Sequence, residues 1–407
     1  MSSIKDSVHD HITVEGVAEE LLDTPAVQRL RRIKQLGTAE FVYPSANHTR
    51  FEHSLGVFHL ASRALSHLGI EGPQAERVRA AALLHDIGHT PFSHNTEEVL
   101  ERYENKSHDD VHDLIRGGEV ERVLVRNDLD PGRVADLVAG DGELGQLVSG
   151  ELDVDRMDYL VRDAHHTGVP YGTIDHGRLV RELRYVGGDL VLAEGNVQTA
   201  ESLLLARALM NPTVYSHHVA RISKAMLRRA TDELVGAGGV PAAEFRRWDD
   251  HDLMVALRDD PATTGYARRL DDRDLFKRAV WAEYADVPEG LIEADHGEIA
   301  AYERDIAERA DVDPSEVIVD VPGEPSMEES TTQVVVNGEV RRLGSQSTLV
   351  AALRKAQHEQ WRLGVYAPEE DADAVGAAAE DVLGLDLDAL VVDVRKGMHQ
   401  TLDEYGA

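Results

Sequence analysis

Up to about residue 235, apolar positions recur mainly with the three- and four-residue spacing that turns one stripe of a helix toward a core. Gly72-Pro73 opens one such segment, Val78, Ala81, Ala82 and Leu84 suit a buried helix, and His85-Asp86 arrive at its end before Gly88 breaks the run. In Leu183-Arg184-Tyr185-Val186-Gly187-Gly188-Asp189-Leu190-Val191-Leu192-Ala193 a Gly-Gly turn separates two short apolar runs, which predicts a small hairpin inside the helical body. Beyond about residue 236 the Gly, Ala and Pro content rises. There, Val317-Ile318-Val319-Asp320-Val321 and an Asn337-Gly338 turn, flanked by Val334-Val335-Val336 and Val340, predict a small sheet. The expected fold is mostly α: a helical core with a small β-hairpin over residues 1–235, then a smaller α+β region over 236–407.

At 407 residues the chain exceeds the usual single-domain range, and one large domain with a smaller one appended fits that length. Lys and Arg total 42 against 75 Asp and Glu, a formal charge of −33. So acidic a chain repels phosphate at long range, which argues against a protein that holds duplex nucleic acid through a broad basic face. The acid is dispersed, as in Trp248-Asp249-Asp250 and Glu369-Glu370-Asp371, and 7 of the 42 cations are lysines. That combination suits a salt-filled cytoplasm, where a Debye length of roughly 3 Å at about 1 M salt screens self-repulsion, and a halophilic protein is expected. Cysteine is absent, which removes disulfides, thiolate ligands and a Cys nucleophile together. The opening Met1-Ser2-Ser3-Ile4-Lys5-Asp6 lacks the apolar stretch of a signal peptide, and no run of about 18 apolar residues occurs, so a cytoplasmic protein without a membrane span is expected.

Any metal must then be held by His and carboxylate. His53, the pair His85-Asp86 and Asp155 offer two imidazoles and two carboxylates, an N/O ligand set that accepts Mn, Mg, Fe, Ni or Zn. A single histidine among 20 is more often a satisfied core residue than a ligand. The segment Leu84-His85-Asp86-Ile87-Gly88-His89-Thr90-Pro91-Phe92-Ser93-His94 is different, because three imidazoles and a carboxylate crowd one apolar helix end, where unpaired polar groups are costly. Metal-dependent hydrolysis is the chemistry such a set serves, since a bound divalent ion lowers the pKa of water toward about 7.

The stretches His48-Thr49-Arg50-Phe51-Glu52-His53-Ser54-Leu55-Gly56-Val57, His85-Asp86-Ile87-Gly88-His89 and Asp153-Val154-Asp155-Arg156-Met157-Asp158-Tyr159 resemble the HD-domain phosphohydrolases. Within them the chain is most similar to the deoxynucleoside triphosphate triphosphohydrolases, including the SAM-and-HD-domain dNTPase, over about Ile4 to Glu369 and without the SAM domain. The resemblance implies an HD-domain helical core, with His53, His85, Asp86 and Asp155 as metal ligands. It places Arg50 at the α-phosphate, Arg156 and Arg207 at the outer phosphates, and Gln35, Leu36 and Asp163 at the sugar, with Tyr159 and Tyr215 lining the same pocket. His89, His94 and His108 match the inner catalytic histidines and Glu97 the carboxylate that supports the last of these. His108 would protonate the leaving oxygen, a task suited to an imidazole with an ordinary pKa of about 6.5. Asp23, Gln28 and Arg31 match residues that bind an activating nucleotide, and a homodimer or homotetramer is implied.

Each role has a plainer rival. The plainer reading of Arg50 and Arg156 is as ion-pair partners in so acidic a chain. Tyr159 and Tyr215 suit core aromatics with a satisfied hydroxyl, and the Asp23–Arg31 stretch suits a helix at a subunit contact. The chain departs from the family pattern at Arg156, where lysine is common, at Asp109 after His108, and at Asn211, where a histidine stands near the base pocket. Other readings of the same ligand set are a phosphohydrolase of another nucleotide or phosphate ester, and a silent nucleotide sensor.

Overall fold

A computed structural model describes residues 2–324 and 332–385; the last part of the expected C-terminal region, 386–407, lies outside the described residues. Helices dominate, as the spacing predicted. The strands are β1 (Ser2–Asp6), β2 (Asp10–Val14), β3 (Leu183–Val186), β4 (Asp189–Leu192), β5 (Lys277–Glu283), β6 (Ile318–Asp320), β7 (Gln333–Val336), β8 (Glu339–Arg342) and β9 (Arg362–Ala367). The helices that position the site are α1 (Arg50–Leu68), α2 (Gly72–Leu84), α3 (Val154–Thr167) and α4 (Val197–Met210); α5 (His296–Ala310) and α6 (Ala372–Leu383) follow later in the chain. Two compact units share the chain. The first takes Met1–Ala220, Leu227–Ala267 and Met327–Leu353, the second Arg221–Met226, Arg268–Ser326 and the chain from Arg354 on.

In the first unit α1 packs against both α2 and α3. Thr49 and Glu52 form a capping box at the start of α1, the Glu52 carboxylate accepting the Thr49 N–H at 2.6 Å, and Gly69 ends the helix in the left-handed region. Phe51, Leu55, Phe58 and Leu65 of α1 are buried with Val78, Ala81, Ala82 and Leu84 of α2 and Val154, Met157 and Leu160 of α3. α2 stops at Leu84 and tightens into a 3₁₀ turn over His85–Gly88, as the Gly88 break predicted.

Two glycines let these elements approach. A Cβ on Gly56 would lie 1.9 Å from Asp158 Oδ1 and 2.6 Å from Arg162 Nη2, and one on Gly88 would lie 1.9 Å from the His108 carbonyl oxygen. Gly56 therefore sets the α1–α3 distance, and Gly88 the distance between the His85 turn and His108.

The Gly187-Gly188 hairpin is present, both glycines having positive φ, and the Asn337-Gly338 turn likewise joins β7 to β8. The single small sheet expected over 317–340 is two. β6 lies in a three-stranded antiparallel sheet of order β5-β9-β6 in the second unit, whereas β7 and β8 extend β3-β4 into a four-stranded sheet of the first. The join is a parallel pairing of Val191 with Gln333 and Leu192 with Val334. Leu190, Val191 and Leu192 are buried, and β7 covers their free edge. In the second unit α5 and α6 pack on one another, and Ile306, Ala307, Val375 and Ala379 share a core with Val280, Val319, Leu363 and Val365. No helix among the described residues is long and apolar enough to cross a membrane.

Gly56→Ala is expected to lower stability by about 1–3 kcal/mol through overpacking against the Asp158–Arg162 pair. Gly265→Ala, where a Cβ meets open space in helix Thr264–Asp271, is expected to be neutral or to stabilise by up to about 1 kcal/mol. Thermal denaturation of both variants checks the contrast; equal midpoints would show that the α1–α3 contact yields without cost.

Candidate metal centre and histidine cluster

Four of the expected ligands meet. His53 comes from the first turn of α1, His85 and Asp86 from the 3₁₀ turn after α2, and Asp155 from the first turn of α3. His53 Nε2 lies 2.8 Å from Asp155 Oδ1, 3.2 Å from His85 Nε2 and 3.9 Å from Asp86 Oδ2. His85 Nε2 lies 3.3 Å from Asp86 Oδ1 and 3.7 Å from Asp155 Oδ1.

The far nitrogens are already committed: His53 Nδ1 donates to Asp158 Oδ2 at 2.8 Å, and His85 Nδ1 to the Ala82 carbonyl at 2.9 Å. His53, His85 and Asp86 each bring one donor atom within 4.8 Å of the others, Asp155 Oδ1 approaches both imidazoles, and Asp86 Oδ2, buried, accepts no hydrogen bond among the described residues. Burial works against a charged His53, yet the bonds to Asp155 and Asp158 outweigh it and push its pKa to about 10. The centre asks for positive charge. Asp6, Asp86, Asp155 and Asp158 face Arg50 and Arg162, so with both imidazoles neutral, as ligands must be, two negative charges are left, the charge of one divalent cation; without it, a proton on His53 answers part of that charge. The donor set therefore fits a divalent metal, with each imidazole oriented through its second nitrogen.

Arg50 does pair with a carboxylate, as its plainer reading held, but the carboxylate is Asp86. Arg50 Nη1 donates to Asp86 Oδ1 at 3.0 Å and its Nε to Ser93 Oγ at 2.8 Å; Ser93 in turn donates to the Lys34 carbonyl at 2.6 Å. Asp250 holds this loop from behind, accepting the Lys34 and Phe92 backbone N–H groups at 2.9 and 2.6 Å. That fixes Phe92 and Ser93 in the left-handed region.

His89, His94 and His108 form a second cluster. The His89 and His108 rings stack at 4.1 Å, and His94 stands edge-on to both. Glu97 accepts from His94 Nδ1 at 2.6 Å, from the His108 backbone N–H at 3.1 Å and from His108 Nδ1. Burial opposes charge on His108, but the Glu97 carboxylate prevails and its pKa is raised. His89 is the opposite case: burial first, then Arg50, push it well below the ordinary imidazole range. The two clusters adjoin, with His89 Nε2 3.2 Å from Asp86 Oδ1.

Around them lie the residues assigned to substrate. The Gln35 N–H donates to the His48 carbonyl at 3.0 Å, and His48 Nε2 bonds Asp163 Oδ1 at 2.9 Å while Tyr215 Oη donates to Asp163 Oδ2 at 2.9 Å. Tyr159 and Tyr215 meet edge to face at 6.2 Å. Leu36 packs partly buried on the core. Arg156 donates to the Glu151 carbonyl at 2.8 Å, and both Arg156 and Arg207 lie near enough to Tyr159 to act on its charge. Asp23, Gln28 and Arg31 are not drawn into this group. Gln28 bonds the Leu22 carbonyl and Arg31, while the Arg31 guanidinium lies 3.5 Å over the Phe51 ring.

Sequence reasoning left Asp158 and Arg162 without a role. The signal was available: positions 155, 158 and 162 share one face of a helix, and an acid four residues before an arginine makes a helical ion pair.

The HD domain matches residues 50–163, and the HD associated region matches residues 174–393. Over its whole length the chain is 33% identical to an uncharacterized protein of Methanocaldococcus jannaschii, covering 88% of it. The chain belongs to the HD-domain phosphohydrolase family. It is 30% identical to the human deoxynucleoside triphosphate triphosphohydrolase SAMHD1 over 64% of this chain and 50% of the human protein. Among solved structures it is similar to a hypothetical protein of Aquifex aeolicus, with a TM-score of 0.74 at 27% identity, covering 93% of this chain and 99% of that one. A phosphohydrolase of Bacteroides thetaiotaomicron gives 0.71 at 26% identity, covering 91% and 100%.

Asp158→Asn is expected to weaken Mn²⁺ binding by about 10–100-fold, because the amide no longer holds His53 Nδ1–H as strongly. Titration against a competing chelator measures it, and an unchanged affinity would remove Asp158 from the metal centre.

Proposed function

We propose that this protein is a metal-dependent dNTP triphosphohydrolase, converting a deoxynucleoside triphosphate and water to deoxynucleoside and triphosphate. The observation that carries the reading is the adjacency of a cation-demanding cluster, His53, His85 and Asp86 with Asp155 against both imidazoles, to the Glu97-supported histidines through the 3.2 Å Asp86–His89 contact. A divalent ion held by those four residues would polarise a phosphoryl oxygen and lower the pKa of water. Arg50, set by Asp86 and Ser93, meets the α-phosphate, and Arg156 and Arg207 meet the outer phosphates, so attraction for a polyanion is concentrated in one place on an acidic protein. Gln35, Leu36 and Asp163, with Tyr159 and Tyr215, take the sugar.

His108 serves as the general acid. Water oxygen bonds to the α-phosphorus as the bond from phosphorus to O5′ breaks; O5′ leaves with a proton from His108, the water's proton passes to solvent, and His89, kept neutral by burial, stacks beside the acid. Glu97 holds the imidazole in position and His94 completes the cluster.

Assembly as a homodimer or homotetramer, an activating nucleotide at Asp23, Gln28 and Arg31, and a cytoplasmic, salt-adapted setting belong to the same reading. A nucleotide there would have to replace the Gln28–Arg31 bond.

The test is a panel of dNTPs and other phosphate esters with Mn²⁺ or Mg²⁺ at high salt, with and without GTP, read by chromatography of the products. Inorganic triphosphate from dNTPs, abolished by Asp86→Ala, is the expected outcome; monophosphate release, or equal turnover by the variant, rejects the reading. His108→Ala should lower kcat by about 10²–10⁴-fold. Because Glu97 raises the pKa of His108, the acid is present at low pH and lost as pH rises through that value. Glu97→Gln should therefore move the alkaline limb of the kcat profile to lower pH, and an unmoved limb would reject His108 as the acid.

A further inference from the structure

The N-terminal hairpin contributes none of the ligands or catalytic groups above, yet its turn reaches the metal centre. Asp6 closes β1, and its Oδ1 accepts the backbone N–H groups of Val8 at 2.9 Å and His9 at 2.7 Å, an arrangement that pins the turn. Asp6 Oδ2 accepts from Arg162 Nη1 at 2.9 Å, and Asp10 takes a φ of 64° to lead the chain into β2. The turn delivers the His9 side chain, 1% exposed, into the protein with Nε2 2.6 Å from Asp158 Oδ1. Its ring lies 5.0 Å from that of His59 and 5.2 Å from that of His176.

Arg162, which can only donate, bonds both oxygens of Asp158, so the carboxylate is the acceptor and His9 Nε2–H the donor. Asp158 then has four acceptor positions, all filled. Oδ1 takes His9 and Arg162 Nη2, the latter at 3.1 Å, and Oδ2 takes His53 Nδ1 and Arg162 Nε, each at 2.8 Å. Arg162 is itself shared with Asp6, so its fork can follow a movement of either carboxylate. His9 differs, because it stands on a turn whose main chain is fastened.

We propose that His9 is a positioning residue of the metal centre: it ties Asp158 to the backbone of the N-terminal hairpin, and Asp158 holds His53 with Nε2 aimed at the cation. The proposal rests on the metal reading of His53, His85, Asp86 and Asp155, and is independent of which substrate is cleaved. It makes residues 2–14 a functional part of the centre, three side chains removed from the ion.

Two substitutions separate hydrogen bonding from packing. His9→Phe keeps a ring against His59 and His176 without a donor, and His9→Gln keeps a donor with nearly the reach of Nε2. Mn²⁺ affinity is measured on the full chain by competition with a chelator, with circular dichroism confirming the fold. His9→Phe should weaken binding by about 10–100-fold, the usual cost of losing an outer-shell partner. His9→Gln should restore most of it. In an Asp158→Asn background His9→Phe should add no further loss, because the two act in one chain. Wild-type affinity in His9→Phe, equal losses in Phe and Gln, or additive losses with Asp158→Asn would each overturn the proposal. Should His9→Phe fail to fold, His9→Asn, whose amide stops short of Asp158, takes its place with the same expectations. If the unaltered protein binds no Mn²⁺, the metal reading itself falls; if only the His9 expectations fail, that reading and the dNTP reading stand.

Discussion

Asp158 is a carboxylate with no exposed side-chain surface, held between a guanidinium on its own helix and imidazoles from two other segments. Taking an ion of that size out of water costs several kcal/mol even after relaxation, and the cost is met only where opposite charge and hydrogen bonds fill every acceptor. Arg162 supplies the charge and His53 and His9 the remaining bonds. Removing any one partner leaves a buried, uncompensated group. That constraint explains why α1, α3 and the N-terminal hairpin meet where they do, and why Gly56 stands at their contact with no room for a methyl group.

The same electrostatics turn a structural knot into a site. Arg162 answers one of the two carboxylates Asp6 and Asp158, and Arg50 one of the pair Asp86 and Asp155, so the interior keeps a negative surplus that raises the pKa of His53 when only protons are there to meet it. A divalent cation would answer the surplus from one position, with His53, His85 and Asp86 close enough to share it. Arg50 then works in two directions at once: it limits the negative charge on Asp86, and through Asp86 and Ser93 it is held rigid next to His89 and His94. In a chain with a net charge of −33 such a fixed, buried arginine is a local exception to an otherwise acidic protein.

The histidine stack follows from a backbone contact. Gly88 lets the His85–Gly88 turn lie against the carbonyl of His108, whose ring stacks on His89 and is hydrogen-bonded to Glu97. One ring is kept neutral by burial and the other is biased toward its charged form by a carboxylate. Adjacent imidazoles with pKa values pushed apart are what acid and base roles require.

Local pattern determined much of this. Helical spacing with a Gly-Pro start and a Gly88 break defines α2 and its chemical end; the Gly-Gly and Asn-Gly turns define two hairpins; and the HD motifs carry the four candidate ligands, because each of these signals lies in a short stretch of chain. What only the tertiary structure decided are pairings across long separations: β7 of 333–336 joining β4 of 189–192, His9 reaching Asp158, and Asp250 fastening the Phe92 turn. Periodicity reports which face of an element is buried, and is silent on which distant edge or charge will face it. A buried carboxylate chooses its partners from whatever the packed helices bring within hydrogen-bond reach, and that choice exists only once the chain has folded.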